Sequence, residues 1–206
     1  MFIGKSLIKS NIVFIFRQDK FFPPENEVFS TIYSGDSSKG ARFIDDPILQ
    51  TKVYFAPEKQ LSFALEGTRL RVDDDSGLEP EKSILIGEAL AVYSGIFKKM
   101  PVSAYGFNFD INYKFGNVLP ADLIFRSYFD DKVRAYGDLR ELGIQFTLEK
   151  KEDLRVYFLK YTSPLEIAVH ANYHYRAEAV LSDKNMKDLY AKCFREADDI
   201  INSLKP

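Results

Sequence analysis

Both histidines of the chain, His170 and His174, lie in one short stretch, AVHANYHYRAE, residues 168–178. On a helix, two imidazoles at this spacing would stand one turn apart and could share a metal ion. On a strand they would lie about 13 Å apart, at roughly 3.3 Å per residue. A zinc ion holds each ligand nitrogen within about 2.1 Å. The stretch itself decides between these. Val169, Ala171, Tyr173, Tyr175 and Ala177 alternate with Ala168, His170, Asn172, His174 and Arg176. A period of two is the pattern of a strand with one face inside and one outside. The histidines are therefore expected on a solvated polar face, and no shared metal site is expected.

A second stretch carries the same pattern more strongly. In YGFNFDINYKF, residues 105–115, Tyr105, Phe107, Phe109, Ile111, Tyr113 and Phe115 share one side. Gly106, Asn108, Asp110, Asn112 and Lys114 share the other. If the two strands pair, Asp110 can orient a histidine and create a general acid/base site. Asp110, His170 and His174 are then the acid/base candidates, and Asn108, Asn112, Asn172 and Arg176 the ligand-binding candidates. The competing reading is the wet face of an antiparallel sheet.

Other motifs fail on their chemistry. GDSSKGAR, residues 35–42, has two glycines at phosphate-loop spacing, but Ala41 and Arg42 follow the second. The lysine and hydroxyl that such a loop needs are missing. VDDDSG, residues 72–77, suggests a calcium loop, yet the twelfth position from Asp73 is Ile84 and not glutamate. It reads better as an acidic turn before a helix. Cys193 falls on an apolar helix face and reads as a buried structural thiol. Neither a nucleophile-elbow serine nor a dinucleotide glycine fingerprint occurs. No cofactor is expected.

The elements that would position these residues are mostly strands. SNIVFIF reads as a buried strand near the start, FFPPENE breaks the chain, and residues 33–42 read as an exposed loop. QTKVYFAPEKQLSFALEG reads as a hairpin turning at APEKQ, and TRLRV adds a strand. A helix is predicted over 79–99, with Pro80 in its first turn and Pro101 as its stop. Gly87, Ala91 and Gly95 recur every four residues on it and suggest close packing against a sheet or helix. A short helix is predicted from Pro120 to about 130, then a hairpin turning at Lys151–Asp153. An amphipathic helix is predicted over 183–204, capped by Ser182 or Asp183. The expected fold is α+β: one antiparallel sheet covered by two long helices, in a single domain of 206 residues. FAPEK at 55–59 echoes FTLEK at 146–150, which raises a tandem repeat with halves 1–100 and 101–206.

Composition narrows the function classes. Net charge is −2 and lysine pairs are isolated, so nucleic acid is not an expected partner. Aromatics reach 15% with no Trp, which suits a β-rich core. One cysteine excludes an internal disulfide and a cysteine-based zinc site. No apolar run is long enough to span a bilayer, and NIVFIF is too short for a usual signal core. The expectation is a cytoplasmic, non-enzymatic protein acting through a protein partner or homo-oligomer. The alternative is a small-ligand binder or enzyme, with the Asp110, His170 and His174 site under a covering helix.

Overall fold

The computed structural model describes residues 2–17, 40–98, 100–116, 132, 136, 142–151, 153–163 and 165–204. The strands are β1 (Phe2–Phe16), β2 (Arg42–Asp46), β3 (Thr51–Ala56), β4 (Leu61–Glu66) and β5 (Arg69–Asp74) in the first half. Helix α1 (Leu85–Val92) follows. The second half has β6 (Val102–Phe115), β7 (Gly143–Lys150), β8 (Asp153–Ser163), β9 (Glu166–Arg176) and α2 (Asp183–Asn202). The described strands form one nine-stranded sheet in the order β2-β3-β4-β5-β1-β6-β9-β8-β7. Every pairing is antiparallel. The fold is α+β, as the alternating patterns predict.

Burial follows the period of two. Ile12, Phe14, Phe107, Phe109 and Tyr173 are almost completely buried, and all face the helices. Helix α2 inserts Met186, Tyr190, Cys193, Phe194, Ala197 and Ile201 into that layer. The Tyr190 ring lies 5.5 Å from Phe107 and 5.0 Å from Phe109. Its hydroxyl donates to Ser10 Oγ at 2.6 Å, satisfying both groups where water is excluded. At the other end of α2, Asp198 accepts from Lys5 Nζ and from the Tyr113 hydroxyl, each at 2.8 Å. Arg155 Nε donates to Glu196 at 3.0 Å, tying β8 to the same helix. Thus α2 is anchored to β1, β6 and β8. Its N-terminus is capped by Ser182, which accepts from the Asn185 amide.

Helix α1 differs from expectation at both ends. It begins at Leu85 rather than Glu79. Asp74 holds the preceding turn instead: it accepts from the Ser76 amide at 2.9 Å and from Ser83 Oγ at 2.6 Å. Ser83 Oγ then accepts from the Leu85 amide at 3.1 Å. So Pro80 lies outside the helix. At the far end, Tyr93–Phe97 widens into a π-turn. That turn places Tyr93 and Phe97 against Phe16, with stacked rings 6.4 and 5.3 Å apart. The small-residue stripe is not a packing face. A Cβ on Gly87 would meet nothing within 4 Å, and Ala91 and Gly95 are exposed. No described helix is long and apolar enough to cross a membrane.

The hairpins turn where the polar residues predict. Pro57–Lys59 form a short 3-10 turn closed by Gln60 at φ 53°, and Lys151 turns the second hairpin at φ 56°. The helix expected over 120–130 lies outside the described residues, as does the 33–42 loop before Gly40.

The first half contributes five consecutive strands of the sheet and the second half four. From β1, strands β5, β4, β3 and β2 follow outward; from β6, strands β9, β8 and β7 follow outward. FAPEK and FTLEK fall at the corresponding hairpins, but their side chains do not correspond. Phe55 pairs with Ser62 on the side away from the helices, whereas Phe146 stacks on buried Tyr157 at 5.2 Å.

Candidate functional site on the open sheet face

Both described helices pack on the apolar face of the sheet. The polar sides of β6 and β9 form the opposite face, so the covering helix expected over them lies on the other side. Register decides which of those polar residues meet. Asn11, Asn108 and Asn172 are consecutive cross-strand neighbours on β1, β6 and β9. Asn172 Nδ2 donates to Asn108 Oδ1, and Asn108 Nδ2 donates to Asn11 Oδ1. This amide ladder ties β1, β6 and β9 together across the face.

The neighbouring row runs through Lys9, Asp110, His170 and Phe158. His170 Nδ1 lies 2.7 Å from Asp110 Oδ1. An ionised carboxylate can only accept, so Nδ1 carries the proton and Nε2 is left for another partner. The hydrogen bond to Asp110 raises the His170 pKa above its ordinary value of 6.5; partial burial opposes this and the Asp110 charge reinforces it. His174 lies opposite Gly106. Burial and the nearby Arg176 charge lower its pKa. Asp110 therefore pairs with one histidine, and the four-residue strand spacing keeps the rings about 13 Å apart.

Beside the pair is an open depression of about 360 Å³, lined by Ile8, Asp110, Asn112, Phe158, Lys160 and His170. It has a local cause. The β1–β6 register shifts between Leu7 and Lys9, so Ile8 leaves the ladder and stays half-exposed. A bulge of this kind re-aims a side chain. The small Ala168 also leaves space next to Asn112, its cross-strand partner.

The structure thus brings Asp110, His170 and Asn112 together. Asn108 and Asn172 belong to the amide ladder, while His174 and Arg176 lie further along β9, with Arg176 opposite Ala104. Asn11, Ile8, Phe158 and Lys160 belong to the site without having been singled out by sequence. Phe158 and Lys160 share the β8 alternation, which gave a signal for their face but not for their row. Two cations of this face, Lys9 and Arg71, are held by carboxylates. Lys9 reaches Asp73 at 3.4 Å and Asp75 at 3.1 Å; Arg71 reaches Asp73 at 2.9 Å and Glu66 at 3.2 Å.

The Asp110–His170 pair can act as an acid/base group, but no serine or cysteine nucleophile lines the depression. Cys193 is fully buried on the helix side, 3.0 Å from the Tyr175 hydroxyl, and burial pushes its thiol up to about 12. Among the described residues, no three His, Cys, Asp or Glu side chains are grouped to hold a metal ion.

A proton NMR titration should resolve the two histidines on opposite sides of 6.5, His170 above and His174 below. Asp110→Asn should bring His170 down and leave His174 in place. The raised folded pKa makes the pair's stabilising share fully present below the unfolded value, and it is lost as pH climbs through the folded value. Both side chains are about half-exposed, at 46% and 48%, so solvent keeps that share small. Coincident titrations would contradict the pairing.

The chain has no significant match among protein-family models, curated proteins or solved structures.

Proposed function

We propose that the protein binds a protein partner through the open face of its sheet and does not act as an enzyme. The observation that carries this is the setting of Ile8 and Phe158. They remain 50% and 38% exposed beside the bonded Asn11–Asn108–Asn172 ladder and the Asp110–His170 pair. An apolar centre ringed by polar groups is the anatomy of a protein interface. Pairing of Lys9 and Arg71 with carboxylates supports a protein over a polyanion, because it lowers the positive field a nucleic acid would need. The single buried thiol suits the reducing cytoplasm, where we place the protein.

The test compares proteins retained by the purified chain and by an Ile8→Glu/Phe158→Glu variant, followed by reconstitution with the purified partner. The expected result is a partner that binds the wild type directly and loses at least about tenfold in affinity for the variant, since desolvated apolar anchors carry most interface energy. Equal retention by both proteins, or no partner that reconstitutes, overturns the reading. A second reading, a small-ligand or acid/base site, is favoured by the Asp110–His170 bond at the rim of a depression. A small molecule co-purifying in that depression, visible in crystallographic density, would select it.

A further inference from the structure

We infer that β7 is a docking edge at which a second copy of this chain pairs its own β7, joining two sheets into one. This goes beyond the open-face reading and does not rest on it. An edge strand carries a row of outward-facing backbone donors and acceptors, and proteins normally blunt such edges with charge, proline, bulges or short length. The two edges of this sheet differ in that respect. β2 is five residues long and carries Arg42, Asp45 and Asp46. β7 is eight residues long, GIQFTLEK, with no proline and no charge before Glu149. Its pairing with β8 runs from Gly143 to Lys150 without a register shift, so no bulge twists the edge away. No described strand pairs with its outer side.

The occupant follows from the residues. A two-fold axis perpendicular to the sheet keeps each face on its own side, so only positions of matching alternation can meet. Centred on Phe146, the register sets Ile144 against Leu148 of the second copy and Gln145 against its Thr147. Apolar residues then meet on the helix side and uncharged polar residues on the open side, the kind of pairs that stabilise a sheet. Glu149 falls against Gly143, so no charge is trapped. Leu148, 44% exposed, would gain cover. The interface is isologous and closes on itself as a dimer.

Gln145 and Thr147 are exposed, so charges there test the contact without touching the core. Light scattering after size exclusion, over a range of concentrations, should show a dimer for the wild type. Gln145→Lys/Thr147→Lys should raise the dimer dissociation constant roughly tenfold or more through like charges set opposite each other, with an unchanged far-ultraviolet circular dichroism spectrum. Gln145→Glu/Thr147→Glu should do the same, and an equimolar mixture of the two variants should recover dimers. A monomeric wild type, or a dimer indifferent to both variants, overturns the inference. A dimer lost only in Ile8→Glu/Phe158→Glu would instead place the contact on the open face, so the two readings fail separately.

Discussion

Phe109→Ala should lower the free energy of unfolding by about 3–5 kcal/mol, the range for emptying a large aromatic site in a core. Phe109 is fully buried at the middle of β6. Its ring meets Tyr190 at 5.0 Å, Phe194 at 5.5 Å and Tyr173 at 6.0 Å. It is therefore where the sheet and α2 lock together. The surroundings can collapse little, because β6 is held by ladders to β1 and β9 on its two sides. Urea unfolding reads the effect as a lower midpoint at an unchanged slope. Loss of less than about 1 kcal/mol, a value typical of ordinary substitutions, would show that α2 repacks freely.

Gly106→Ala should cost about 1–3 kcal/mol, as overpacked sites do, and Gly106→Val should fold poorly. The reason is contact and not backbone conformation. A Cβ at this position would press on the Tyr173 carbonyl oxygen, in the strand paired with β6. To make room, β6 and β9 would have to part near the centre of the sheet. Gly87→Ala is the contrast. It adds a methyl in open space within α1, where alanine is favoured over glycine by roughly 0.8–1 kcal/mol. Thermal melts of the two variants should move in opposite directions. A neutral Gly106→Ala would mean that the central ladder yields more than its packing implies.

Faces were legible in the sequence, and rows were not. The alternations at 105–115 and 168–178 identify which side chains lie with Asp110 and which with Phe109, because the period of a strand is set by local geometry. The spacing on α2 identifies Tyr190 and Phe194 as core residues for the same local reason. Which residue stands opposite which depends on register between distant segments. Nothing near Asp110 says that its neighbour is His170 and not His174. Asn11 escaped notice because its role exists only once β1 lies beside β6. Ile8 escaped because a bulge breaks the alternation that would have assigned it. The start of α1 departs from the proline-led expectation because Asp74 and Ser83 form a bonded turn in place of a first helical turn. The echo between FAPEK and FTLEK marks corresponding hairpins but opposite faces, so it is not evidence of matched residues.

The strand order also bears on how a ribosome delivers this chain. β1 can complete its ladder with β5 through Ser10–Ile15 before β6 has left the ribosome. One wing then exists while the far rim of the fifteen-residue β1 waits for its mate. Nascent chains side by side on one messenger would offer each other that rim, a recognised route to misassembly. A chaperone that holds extended segments would shield that rim until the second wing arrives.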